Sequence, residues 1–237
     1  MLTIVLPVYN CCQELAEGLP GLTRLLQERG TSYKVIIADD CSADGDDIRA
    51  LASAMHCTYA RNEKNRGKGY SVRKGFEQAA GDYFIFMDGD FPFELSVVDR
   101  LMDSLESGDA DMVIGDRTLA ASSFPADLSL MRKVGSHFVS ALAGRYMTPG
   151  YYDTQCGIKG FRMEAAAAVL GQLTQDRFCF DIELLFLATR KRFRIKTIPV
   201  AVKRQRGSTV RVVRDGLDVL KAIAVIYFNK MTGKYTL

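Results

Sequence analysis

Two carboxylates separated by one glycine, Asp88-Gly89-Asp90, follow directly on the apolar run Tyr83-Phe84-Ile85-Phe86-Met87. A strand that delivers two acidic groups at its carboxyl end, with a glycine between them to let a ligand approach the backbone, can hold a hard divalent cation against a diphosphate. That chemistry points to a nucleotide sugar. An isolated Asp-x-Asp is also an ordinary solvated turn, so neighbouring segments decide its weight. Gly67 and Gly69 open a helical pattern beside Arg66 and Lys68, where backbone N–H groups and cations could meet an anion. Gly-x-Gly before a helix also marks tight turns. Late in the chain, Arg190-Lys191-Arg192, Arg194, Lys196, Lys203, Arg204, Arg206, Arg211 and Arg214 form either a solvated face or a positive one for phosphate or an acidic membrane surface.

These groups need a frame that brings strand ends together. Short β-branched and apolar runs (2–7, 34–38, 58–60, 83–87, 111–114) alternate with helical patterns (13–29, 46–55, 67–79, 95–105). The alternation predicts a mostly parallel sheet with helices on both faces and a ligand site at the carboxyl ends of the strands. Beyond Arg117 the pattern predicts a loop over 120–128, a helix over 132–146 and a turn over 149–153. A strand over 158–161, helices over 164–170 and 182–190, a strand over 195–200, a basic loop and a helix over 215–229 complete it. The expectation is one α/β domain: 1–117 binds the donor, 118–215 the acceptor, and 216–237 forms a C-terminal helix.

A chain of 237 residues with 48% hydrophobic content suffices for one such domain, and a net charge of +3 is modest. No basic stretch is interleaved with aromatics, which argues against nucleic acid. Six cysteines without a Cys-x-x-Cys pair, and two histidines, argue against zinc and against a disulfide framework. The start of the chain lacks a signal-peptide pattern, so a reduced, cytoplasmic protein is expected. The apolar run Ala222 to Phe228 is too short to cross a bilayer.

Together, Val5-Leu6-Pro7-Val8-Tyr9-Asn10, Ile37-Ala38-Asp39-Asp40-Cys41-Ser42, Asn65-Arg66-Gly67-Lys68-Gly69 and Asp88-Gly89-Asp90 resemble the family 2 glycosyltransferases of GT-A fold. Asp153-Thr154-Gln155-Cys156-Gly157, with Phe161-Arg162 and the segment from Arg177 to Leu185, is similar to the dolichyl-phosphate glucosyltransferase branch, whose general layout dolichol-phosphate mannose synthases share. The resemblance implies inverting transfer of a hexose from a nucleotide sugar, UDP-glucose favoured and GDP-mannose possible, to a polyprenyl phosphate. It implies that Pro7, Tyr9, Asn10 and Asp39 line the donor base pocket, that Lys68 meets the donor, and that Asp88 and Asp90 hold Mg²⁺ or Mn²⁺. Cys11 stands where the family often has Glu, with Glu14 as a substitute. Pro92 stands where mannose synthases carry a Gln ligand, so Glu94 or water would complete the metal shell.

On the acceptor side the resemblance implies Arg117, Arg132 and Arg206 at the lipid phosphate, with Asp153 and Gln155 lining the sugar pocket and Asp181 and Glu183 as further candidates. Arg suits this task because its planar fork binds phosphate oxygens bidentately. Asp181 could instead cap the helix after it. A phosphate acceptor is already largely ionised at neutral pH and needs no general base, whereas an alcohol needs one. Two rivals remain: transfer to a saccharide hydroxyl, and a noncatalytic module binding a nucleotide sugar or lipid phosphate. The basic residues after 203 and the apolar stripe Leu217, Leu220, Ala224 and Phe228 suggest a peripheral membrane contact, with core packing or a homo-oligomer contact as the alternative.

Overall fold

A computed structural model describes residues 1–124, 147–203 and 212–236 of the chain. It contains a seven-stranded sheet in the order β3-β2-β1-β4-β6-β5-β7. The strands are β1 (Leu2–Val8), β2 (Tyr33–Asp39), β3 (Thr58–Arg61), β4 (Tyr83–Met87), β5 (Met112–Asp116), β6 (Ile158–Arg162) and β7 (Ile195–Pro199). Pairing is parallel throughout except at β6, which runs antiparallel to both β4 and β5. The expected sheet is therefore present, with one reversed strand in it.

The helices are α1 (Cys12–Glu28), α2 (Gly45–Ala54), α3 (Lys68–Phe76), α4 (Ser96–Glu106), α5 (Met163–Leu170), α6 (Phe180–Arg190) and α7 (Val212–Met231). They cover the sheet on both sides, which is why the central strands read as continuous apolar runs. On one side Leu2, Ile4, Leu6 and Val8 meet Leu15, Leu19, Leu22 and Leu26 of α1, Ile48 of α2 and Leu101 of α4. On the other, Val5, Phe84, Phe86 and Ile114 meet Val72 of α3, Val169 of α5, Phe180 and Leu184 of α6, and Val219 and Ile226 of α7. Alternate residues of β1 thus feed two cores, as the two-residue period of a strand requires.

Element ends move by a few residues from their expected positions; α7 starts earlier and ends later than 215–229. The expected helix over 132–146 lies outside the described residues. All six cysteines are free thiols. Among the described residues, no helix is long and apolar enough to cross a membrane.

Candidate active site

The reversal of β6 brings its start to the edge where β1, β2 and β4 end. Asp88 N–H donates to the Gly157 carbonyl at 2.9 Å, joining the end of β4 to the start of β6. Asp88 lies over Gly157 so closely that a Cβ there would meet its Oδ2 at 1.9 Å. Phe91 N–H then returns to the Asp88 carbonyl at 3.1 Å, closing a turn that carries Asp90. Gly89 has a packing reason as well. A Cβ there would meet Val8 Cγ1 at 2.4 Å, and its N–H donates to the Pro7 carbonyl.

Lys68, at the start of α3, reaches this turn from the side. Its Nζ is 2.6 Å from Asp88 Oδ1, with only 13% of the side chain exposed. The same ammonium lies 5.8 Å from the ring centres of both Phe86 and Phe180, within cation–π range. Burial works against its charge, but Asp88, Asp181 and Asp90 outweigh that and raise its pKa. The loop before α3 is less open than expected. Arg66 and Gly67 N–H groups both donate to Asp40, and Tyr70 N–H donates to the Asp176 carbonyl. Arg66 itself pairs with Asp176 at 3.0 Å. A Cβ on Gly69 would lie 2.6 Å from Phe180 Cβ and 2.8 Å from the Gln175 carbonyl, so this glycine makes room for the 174–180 segment.

At the base-pocket end, Tyr9 is half exposed at 50% beyond β1. Asn10 has a left-handed φ of 51° and joins two loops: its Oδ1 accepts from Ala43 N–H, and its own N–H donates to Ser42 Oγ. Asp39 is fully buried, and its carboxylate accepts from Ser42 N–H, Tyr59 Oη and Arg61 Nη1. Arg61 therefore stands between Asp39 and solvent. No motif marks Tyr59 or Arg61 in the sequence, because a short edge strand carries no signal that would single them out.

Arg117, just past β5, faces Asp153 as a fork. Nε and Nη2 donate to the two carboxylate oxygens at 2.8 and 2.7 Å, and the backbone N–H of Arg117 adds a third bond at 2.8 Å. Burial alone would raise the Asp153 carboxyl, but Arg117, helped by Lys159, holds it below the usual carboxylate range. Asp153 thus orients the arginine. Gln155 is half-buried two residues on. Glu183 is placed differently: it is buried and accepts from Thr174 N–H, Thr174 Oγ1, Gln175 N–H and Tyr235 Oη. It fastens the 174–175 loop and the C-terminal segment instead of facing a sugar. Arg132 and Arg206 lie outside the described residues.

Lys159, in the middle of β6, is a charged residue that the sequence motifs pass over. It is fully buried, 2.5 Å from Asp181 Oδ1 and 2.9 Å from the Cys156 carbonyl. Asp181 is accordingly an ion-pair partner inside α6, whose cap position is Cys179. A lysine inside Ile158-Lys159-Gly160-Phe161 is the signal that could have found it, since a charge in a doubly covered strand needs a buried partner.

As for a divalent metal, Asp88 and Asp90 offer hard oxygen donors at one turn, and the Lys68 ammonium already rests against one of them. Among the described residues no group of three or more His, Cys, Asp or Glu side chains gathers around one point. Glu94, expected alongside water as a candidate to complete the shell, pairs with Lys203 at 3.0 Å. Two carboxylates with the remaining positions left to phosphate and water is the donor pattern that suits Mg²⁺, so the residues fit.

A family model described as "Glycosyl transferase family 2" matches residues 3–170. The chain is 27% identical over 254 residues to the dolichyl-phosphate beta-glucosyltransferase of Saccharomyces cerevisiae, covering 99% of this chain and 76% of that one. Against the Homo sapiens protein of the same description it is 28% identical over 257 residues, covering 100% and 78%. In fold it is similar to glucosyl-3-phosphoglycerate synthase from Mycobacterium tuberculosis, solved with Mn²⁺, UDP and phosphoglyceric acid: TM-score 0.74 at 16% identity, covering 95% of this chain and 78% of that one.

Proposed function

Because the chain belongs to glycosyl transferase family 2, we propose that it moves a hexose, with UDP-glucose as the favoured donor, onto the phosphate of a polyprenyl or dolichyl lipid with inversion at the anomeric carbon. The observation that carries this reading is the Arg117–Asp153 fork. A hydroxyl acceptor needs a carboxylate free to take its proton. Asp153 is bound on both oxygens by Arg117, and Asp181 is bound by buried Lys159. Neither is placed as a base, whereas a phosphate acceptor arrives ionised and needs only to be bound and aimed. Arg117 uses one edge of its guanidinium on Asp153, which leaves Nη1 as a donor for phosphate oxygen. Lys68 supplies positive charge where the donor diphosphate departs. Asp88 and Asp90 would hold Mg²⁺ or Mn²⁺, which supplies Lewis-acid neutralisation of that diphosphate without proton transfer. The names of the full-length relatives, and the Mn²⁺ and UDP in the similar fold, support the donor and metal parts of this reading.

The reading extends to a peripheral position on the cytoplasmic membrane face, where a lipid acceptor resides. Leu220, Val225, Phe228 and Met231 of α7 are exposed at 52%, 42%, 65% and 84%, while Val219, Ala222 and Ile226 turn inward. Every charged side chain from 219 to 236 is a lysine: Lys221, Lys230 and Lys234. An exposed apolar face that carries Lys221 within it suits an anionic lipid interface.

A panel of UDP- and GDP-sugars assayed with a short polyprenyl phosphate and Mg²⁺ or Mn²⁺ tests the function. UDP-glucose should be the best donor. Equal turnover with an unphosphorylated prenol or a saccharide would favour hydroxyl transfer, and donor binding without turnover would favour a binding module.

A further inference from the structure

Lys159 belongs to an alternating chain of charge that runs beneath the site. Arg117 pairs with Asp153, Lys159 with Asp181 and Lys68 with Asp88, and the charge of Lys159 also favours ionised Asp153 while that of Asp181 favours charged Lys68. Of these three ion pairs, Lys159 and Asp181 form the most deeply buried, 0% and 2% exposed. Lys159 Nζ and Lys68 Nζ both approach the Phe86 ring, at 5.5 and 5.8 Å from its centre. Phe86 is the direct cross-strand partner of Lys159 and stands two residues before Asp88.

A buried ion pair is a poor device for stability alone, because apolar side chains of similar volume often do as well or better. We propose that Lys159 is a positioning residue for transfer: by holding Asp181, it keeps Lys68 turned toward Asp88 and the diphosphate position. The inference rests on the function proposed above. Without Lys159, the Asp181 carboxylate remains in a dry site and recruits another cation. Lys68 has its ammonium against the same Phe86 ring as Lys159 and against Phe180, next to Asp181 in the chain, so it is the group that moves. The positive charge facing the diphosphate then weakens, although Lys159 itself, having no exposed surface, touches no substrate.

The test compares the unmodified chain with Lys159→Met and with Lys159→Met/Asp181→Asn. Each is melted, titrated calorimetrically with UDP or GDP in the presence of Mn²⁺, and assayed for kcat and KM. Lys159→Met should bind the nucleoside diphosphate roughly tenfold more weakly at temperatures where it is folded, and donor KM should rise with it. The double variant, in which no buried carboxylate calls for a cation, should recover binding to within about threefold of the parent. A folded Lys159→Met with parental UDP affinity would overturn the inference. So would a double variant that regains its melting temperature but not its affinity, since Lys159 would then not act through Asp181. If Lys159→Met fails to fold, the double variant alone decides by that same affinity criterion. A parent protein that binds neither nucleotide would overturn the underlying function and this inference with it; unchanged variants of a binding parent overturn only the inference.

Discussion

Replacing Asp153 with Asn separates the orientation of Arg117 from its presence. The Asn side chain is close in shape to Asp153 but offers one acceptor oxygen and no charge to three donors: Arg117 Nε, Nη2 and backbone N–H. Breaking a buried ion pair by removing one partner costs about 3–5 kcal/mol. Arg117 retains 22% exposure, so water can take over part of the lost bonding, and the lower end, about 3 kcal/mol, is expected. For a chain of this length that corresponds to a melting temperature lower by about 6–12 °C.

The pH dependence supplies an independent check. In the folded protein Asp153 ionises at a lower pH than in the unfolded chain, where Asp titrates near about 3.9. The pair therefore contributes its full stability above that value and loses it as pH falls through the folded pKa. Thermal melts from neutral pH into the acid range should show a steep acid limb for the parent and a flatter one for Asp153→Asn. In transfer assays, acceptor KM should rise roughly tenfold or more while donor KM stays within about twofold, because the freed guanidinium no longer faces the phosphate. A melting temperature within about 2 °C of the parent, together with an unaltered acid limb, would refute this account of the fork.

Asp90→Ala should preserve the fold yet lower turnover by roughly a hundred- to a thousandfold, and EDTA should do the same to the parent protein; near-normal activity of the variant in EDTA would remove the metal assignment. Gly69→Ala sets two effects against each other. Ala gains about 1 kcal/mol of helix propensity, but its Cβ meets Phe180 and the Gln175 carbonyl at 2.6 and 2.8 Å, and overpacking of that kind costs about 1–3 kcal/mol. A net fall in melting temperature is expected, and a rise would show that the 174–180 segment yields easily. Phe228→Ser/Met231→Ser should lower cosedimentation with anionic phospholipid vesicles at low salt by roughly tenfold or more. Unchanged vesicle binding, or a dimer seen by analytical ultracentrifugation that the substitutions dissolve, would assign the stripe to another partner.

The parts of the site legible in the sequence are those that depend on local order. Five apolar residues between Asp82 and Asp88 define β4 to the residue, and an acid at a strand end faces the ligand edge in any sheet of this kind. The direction of β6 is not legible, because an apolar run carries no mark of parallel or antiparallel pairing. Nor is the role of Asp153, whose partner Arg117 lies 36 positions away and is brought close only by that reversal. Lys159 and Asp181 are separated by 22 positions and belong to different elements, so their pairing follows from packing rather than from spacing. Asp181 stands out in the sequence as a cap or sugar contact; its burial against Lys159 makes it neither.

The reversed strand also means that the chain makes an excursion from a chassis and comes back to it at the same edge. The chain leaves the sheet at Asp116, at the end of β5, and re-enters at Ile158, the start of β6, with Ile114 and Lys159 directly paired across the two strands. Departure and return share one edge, and on the way out Ser123 bridges Ala201, its N–H donating to the Val200 carbonyl and its carbonyl accepting from Val202 N–H. Asp116, whose carboxylate accepts from Thr118, and Gly157, whose carbonyl holds Asp88 in place, mark the two ends of the excursion, and Ser122 Oγ, which accepts from Val200 N–H, ties it to the strand beside β5. A chimera that keeps both ends, Ser122, Ser123 and an Asp at 153 for Arg117 should keep these contacts to the sheet.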